Sequence, residues 1–256
     1  MRMLFLGDIV GSCGREAVVK TVPELRRELR LDYVIANGEN CTNGRGLNAR
    51  HADELLDCGI DVITGGNHTF QHREFYPYLD ASACVSRPLN YPPGAPGHGI
   101  IEIGDLVVVN LIGRVFMGAD YDDPFRAVDE ALAGMSKNRF ILVDLHAEAT
   151  SEKQAMGWYL DGRVTTVVGT HTHVPTADAR VLPNGTAYFT DVGMTGPRGG
   201  VIGVKREQAI NSLRTQMNER FETSDEDPWL MGVLITAGER RSAVMIEQLL
   251  VAADTR

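Results

Sequence analysis

YVIANGEN, Tyr33 to Asn40, holds the pattern that decides the fold: a β-like run ends at Asn37, a glycine opens a turn, and a carboxylate and an amide follow at once. The same event recurs along the chain. FLGDIVG carries Asp8, DVITGGNH carries Asn67 and His68, VDLHAE carries His146, and VVGTHTHVP carries His171 and His173. Strands that run into glycine turns are how α/β proteins bring side chains from distant positions into one crevice. Each polar residue also has a local reading. Asp8 can cap a turn, Glu39-Asn40 and Asn67-His68 can bond their own backbone, and His146 can be a satisfied core histidine. An H-x-H on a strand puts both rings on one face, where they can be ordinary surface residues. Those readings give no reason for carboxylate, amide and imidazole to recur at successive strand ends.

Between the apolar runs the chain reads as helix at Arg15 to Arg30, interrupted near Pro23, at Ala49 to Cys58 and at Pro124 to Met135. Two β segments flank Gly104-Asp105 from Ile100 to Ile112. Arg139 to His146 and Val164 to Val168 are further strands, Pro183-Asn184-Gly185 turns a hairpin, and Leu230 to Ala237 precedes a last strand from Ser242 to Leu249. The composition, 43% hydrophobic and 23% charged over 256 residues, is that of a soluble chain with a sizeable core. No linker or charge block divides it, so residues 1–256 are expected to form one domain.

The net charge of -9 argues against broad binding to nucleic acid, which needs a basic surface. It does not exclude a small phosphorylated substrate, because a metal centre supplies positive charge locally. Cys13, Cys41, Cys58 and Cys84 show no C-x-x-C spacing and are read as packing residues. Neither a secretion signal nor a run of about 20 apolar residues is visible, so the expected location is cytoplasmic, with no membrane partner.

A mixed oxygen and nitrogen donor set suits two hard or borderline ions better than a cysteine-rich structural zinc. Glu39 is the natural bridging carboxylate. Asp8 would hold one ion, and Asn67 would hold the other together with imidazoles from His146 and the His171/His173 pair. That leaves His68 to protonate a departing alkoxide. His51, His72 and His98 are given no role, Thr150 or Ser151 is read as a helix cap, and Arg198 is left as a solvent-exposed residue.

The motifs FLGDIVG, ANGENCTNGRGL, GGNHTF, VDLHAEATSEK, GTHTHVPTAD and TDVGMTGP, in this order, resemble the calcineurin-like metallophosphoesterase superfamily. The resemblance is closer to the bacterial YmdB-like phosphodiesterases. It implies a four-layer α-β-β-α sandwich, two mixed β-sheets flanked by helices. It also implies metal ligands at Asp8, Glu39, Asn67, His146, His171 and His173, with Asn40 completing one shell, iron or manganese as the two ions, and His68 near the leaving group. Three positions depart from the broad superfamily pattern: Asp8-Ile9-Val10 replaces D-x-H, Gly38-Glu39-Asn40 replaces the bridging aspartate motif, and Thr69 stands where an acidic residue usually follows GNH.

The expected activity is that of a hydrolase, a dinuclear phosphodiesterase in which metal-held hydroxide attacks the phosphorus of a cyclic nucleotide. The resemblance favours 2',3'-cyclic nucleotides and leaves 3',5'-cyclic nucleotides open. Phosphomonoester hydrolysis on the same metals, or nucleotide or RNA sensing with little turnover, are the alternatives, and the acidic charge disfavours RNA. A homo-oligomer is compatible with the resemblance.

Overall fold

Mostly apolar runs such as Leu106–Ile112, with Asn110 inside it, and Phe140–His146, with Asp144 inside it, suit strands covered on both faces, and both are buried at every residue. The computed structural model describes residues 1–136, 138–238 and 241–253. Its elements are β1 (Arg2–Leu6), β2 (Asp8–Ile9), α1 (Gly11–Glu28), β3 (Tyr33–Asn37), α2 (Ala49–Asp57), β4 (Val62–Thr64), α3 (Tyr76–Ala81), β5 (Ile100–Ile103), β6 (Leu106–Ile112) and α4 (Pro124–Ala133). There follow β7 (Phe140–His146), α5 (Thr150–Tyr159), β8 (Thr166–Thr170), β9 (Arg180–Val181), β10 (Ala187–Phe189), β11 (Met194–Pro197), α6 (Arg206–Thr215), β12 (Pro228–Ala237) and β13 (Ala243–Ala252).

These strands form two mixed sheets. In the seven-stranded sheet β1 pairs parallel with β3 and β3 with β4, while β12 runs antiparallel between β1 and β13; β2 and β11 extend the order β2-β11-β12-β1-β3-β4. The six-stranded sheet has a parallel centre, β6-β7-β8-β10, with β5 and β9 antiparallel at its edges. Parallel strands end on one side of a sheet. The glycine turns after β3 and β4 and the histidine loop after β8 therefore open at strand C-termini, where α/β proteins place ligands.

Alternation along the strands distributes the core. Leu4 and Leu6 face α1 and α2, packing with Val18, Val22 and Leu55. Met3, Phe5 and Ile35 point the other way and share a cluster with Leu106, Val108, Leu142 and Phe189 of the six-stranded sheet. Val107, Val109 and Val143 then pack with Val128 of α4 and Met156 of α5. Burying each such side chain contributes about 1.5–3 kcal/mol, so the cluster common to both sheets fixes one sheet against the other.

The structure corrects several readings. Helix α1 begins at Gly11 and continues through Pro23 without interruption. Pro23 is exposed, so the carbonyl it deprives of a partner can bond water instead. Neither Thr150 nor Ser151 caps α5: Ala149 stands at that position and offers no side-chain bond. The short strands β2 and β11 and the helix α6 were not read from the sequence.

Candidate metal centre

His146 closes β7 with its ring wholly buried and organises the site. Thr170 Oγ1 donates to Asp144 Oδ1 (2.8 Å), which spends its single hydrogen, so at 3.0 Å it accepts from His146 Nδ1–H. The Nε2 lone pair then faces inward. Around it stand Asn67 Oδ1 at 2.8 Å, His171 Nδ1 at 3.1 Å and Glu39 Oε1 at 3.2 Å. The other ring nitrogen of His171, Nε2, lies 3.2 Å from Glu148 Oε2, a carboxylate that holds the hydrogen on that nitrogen and leaves Nδ1 as an acceptor. Four acceptors thus converge on one point.

Such an array needs positive charge: burial opposes charge on His146, but Glu39, Asp8 and Asp144 outweigh it and push its pKa up to about 9. Burial likewise acts to raise Glu39, and the imidazolium of His146 with the His68 contacts brings it down to about 2. His171 goes down to about 3, from burial first and then the neighbouring His146 charge. Donors held about 2.1 Å from one ion at right angles stand roughly 3 Å apart, which is the spacing found here. The ligand atoms of Glu39, His146 and His171 all lie within 4.8 Å of one another. The donor set therefore fits a borderline divalent ion, with the Asp144–Thr170–His146 chain orienting the imidazole from behind.

A second, looser group adjoins it. Asn40 Nδ2 lies 3.4 Å from Asp8 Oδ1, 3.3 Å from Glu39 Oε1 and 3.2 Å from His173 Nε2. Here the amide hydrogens supply the positive end; turned over, the same amide presents its oxygen. His173 Nδ1 donates to the Ile202 carbonyl (2.8 Å), so its Nε2 lone pair points toward Asp8 Oδ1, 3.8 Å away. The imidazoles of the H-x-H are thus divided, His171 beside Asn67 and His146, and His173 beside Asp8 and Asn40. This differs from the expected grouping of both rings with Asn67, because β8 ends at Thr170 and the pair does not lie on a strand. His171 and His173 have φ of 103° and 66°, backbone that costs of order 1–3 kcal/mol each and must be held by its surroundings.

The hold comes from residues that sequence reading missed. Asp191 Oδ2 accepts from Thr172 N (3.2 Å) and Thr172 Oγ1 (2.7 Å), so the residue between the two histidines is pinned. Lys153 Nζ, 2.5 Å away and equally buried, balances the Asp191 charge. His171 N also donates to Asp8 Oδ2 (3.0 Å). The turn after β4 is constrained sterically: a Cβ on Gly66 would lie 2.4 Å from Glu39 Oε2 and 2.5 Å from His146 Nε2, so only glycine lets the backbone pass so close. Thr69, in place of the usual acid, accepts from Gly66 N (2.9 Å) and closes this turn.

Four of the seven sequence-derived donors, Glu39, Asn40, His171 and His173, line one cleft of about 520 Å³ with Arg45, His68 and Glu148, while Asp8, Asn67 and His146 stand behind them in the contacts given above. His68 is part-buried, with its backbone N–H on Glu39 Oε2 at 2.7 Å and its Nε2 3.3 Å from Asn67 Nδ2. Burial first, and Arg45 among the nearby charges, lower its pKa; Glu39 works against them. Arg198 lies over the Trp229 ring, outside the cleft lining. Cys13 and Cys41 are buried, as packing residues should be.

The family model described as YmdB-like protein matches residues 4–249. The chain belongs to the YmdB-like protein family. A YmdB-like relative from Bacillus subtilis (strain 168), named 2',3'-cyclic-nucleotide 2'-phosphodiesterase, is 46% identical over 99% of this chain and 98% of its own length. A crystal structure of a hypothetical protein from Thermus thermophilus superposes with a TM-score of 0.93 at 42% identity, covering 99% of this chain and all of that one. That of a novel phosphatase from Mycoplasma pneumoniae gives 0.92 at 36%, covering 99% and 94%. The α/β fold with two mixed sheets is therefore that of the YmdB-like proteins, and the family fits the metallophosphoesterase superfamily. Among the described residues no helix is long and apolar enough to cross a membrane.

Proposed function

We propose that this protein is a dinuclear metal-dependent phosphodiesterase that opens the 2' ester of 2',3'-cyclic nucleotides and leaves a 3'-monophosphate. The observation that carries this reading is the ring of acceptors about His146 Nε2, at distances of 2.8, 3.1 and 3.2 Å, on the floor of a cleft. The activity for which the Bacillus relative is named supplies the substrate class. Asn67, His146 and His171 would hold one ion and Asp8, Asn40 and His173 the other, with Glu39 shared by the two groups. When bound, iron or manganese supplies Lewis acidity at the phosphoryl oxygens and positive charge on an otherwise acidic chain.

The protein's own residues do the rest. Asp191 and Lys153 keep the histidine loop in place. A water adds its oxygen to phosphorus as the bond to O2' breaks, and His68, in its protonated form, gives the departing oxygen a proton and takes back the one the water releases. The three hydrophobic clusters support an α-β-β-α stacking in four layers, with residues 1–256 as one domain.

The test is turnover of 2',3'-cyclic AMP by protein loaded with manganese or ferrous iron, with metal content measured and 2'-AMP separated from 3'-AMP by chromatography. Formation of 3'-AMP is expected, and no turnover by fully loaded protein would sink the reading. His68→Ala should keep its metal and lose about 10²–10⁴-fold in rate, less on an activated nitrophenyl ester. The Mycoplasma phosphatase favours a second reading on the same centre. 3'-AMP and 3',5'-cyclic AMP belong in the same assay, and release of inorganic phosphate would mark monoester hydrolysis.

A further inference from the structure

One side of the cleft does not match its floor. Opposite the donors the lining is Val201, Ile202, Leu213 and Phe221, all large and apolar. They are not core residues: Leu213 is 71% exposed, Ile202 55% and Phe221 43%. Helix α6, which carries Leu213, buries only Ala209, so folding makes little use of its apolar side chains. Ile202 adds a second observation. Its φ of 45° is rare for a β-branched residue, and that backbone turn delivers its carbonyl to His173 Nδ1 at 2.8 Å while its side chain lines the cleft.

We propose that Ile202, Leu213 and Phe221 form the subsite for the nucleobase of the substrate, a specificity surface mechanically tied to the metal centre through Ile202. The proposal rests on the cyclic-nucleotide reading above. A diester held over the donors fixes one end of the substrate, and the rest must occupy the same cleft. Its volume lies within the 300–1,000 Å³ usual for small-molecule sites, and its lining combines apolar side chains with polar ones, as a base and ribose require. Phe221 supplies an aromatic face, and every base has a π-face to lay against one. Ile202 links the two functions, because the residue that turns His173 also forms part of the wall.

The experiment compares wild-type protein with Phe221→Ala and, in case that variant folds poorly, the more exposed Leu213→Ala. Two substrates are used, 2',3'-cyclic AMP and ribose 2,3-cyclic phosphate, which shares the reacting ring but has no base. Affinities for 3'-AMP and for inorganic phosphate are measured alongside by calorimetry on metal-loaded protein. The ratio of kcat/KM for cyclic AMP over the baseless ring should fall about tenfold, carried by KM, with a similar loss of 3'-AMP affinity and no change for phosphate.

Equal losses on both substrates, or unchanged 3'-AMP affinity, would overturn the subsite. A change in oligomeric state in either variant at equal concentration would also overturn it, by giving the wall to a second copy of the chain. If wild-type protein turns over neither cyclic phosphate, the phosphodiesterase reading fails, and the subsite is then decided by the 3'-AMP and phosphate affinities alone.

Discussion

On the floor of the cleft His146 is fully buried and each of its ring nitrogens faces named partners, whereas on the wall Leu213 leaves 71% of its surface to solvent. The floor stands on strand ends: β3 leads to Glu39 and Asn40, β4 to Asn67, and β7 ends at His146 itself. The wall stands on the segment around α6 and the strained turn at Ile202. The difference separates two demands. Chemistry needs donors fixed to within a fraction of an ångström, which buried strand termini with paired backs provide. Substrate choice needs apolar surface that stays exposed until a ligand covers it.

Three substitutions test how far that contrast holds. The largest effect is expected for Glu39→Gln, which removes the carboxylate common to both groups of donors. Metal content, read by elemental mass spectrometry, should drop by at least one ion per chain, and kcat should fall by about 10³-fold or more. Full metal and near-normal turnover would show that Glu39 is structural. Asp191→Asn is expected to act more mildly on the metal, because it removes no donor, although it weakens the hold on Thr172 and leaves the buried Lys153 ammonium without its carboxylate, so stability should fall as well. Metal affinity should fall roughly 10–100-fold, and a chelator titration that matched wild type would remove Asp191 from any positioning role. The smallest effect belongs to the wall. Ile202→Gly relieves a positive φ at a half-exposed position, so thermal unfolding should show a gain of about 1 kcal/mol or no loss. A clear loss of stability would mean that the Ile202 side chain is a packing residue and that floor and wall are not separable.

Much of this was legible in the sequence because strand ends and glycine turns leave local marks. The runs before Asn37, His146 and Thr170 are predominantly apolar, and each is a largely buried strand. Other elements leave no such mark. β2 is two residues long and exists only because Asp8 and Ile9 pair with Met194 and Thr195. α6 escaped because its apolar residues Ile210 and Leu213 are exposed, so no buried stripe governs its sequence. At the site, donor identities could be read but not their grouping, which depends on two histidines with positive φ after the strand has ended. Asp191, Asp144 and Lys153 look like ordinary polar residues until the fold shows that they are buried behind the ligands.

The pairing of β1 with β12 has a consequence in time. Leu4 sits beside Leu234, yet every donor from Asp8 to His173 leaves the ribosome before β12 does. At ordinary synthesis rates the first strand waits roughly 10–50 s for that neighbour. Until it arrives the first strand has β3 beside it and its other edge bare, and the two sheets lack Val233 and Ile235 from their common cluster. A chain halted short of β12 would carry every donor named here and lack the strand that joins β1 to β11, the partner of Asp8.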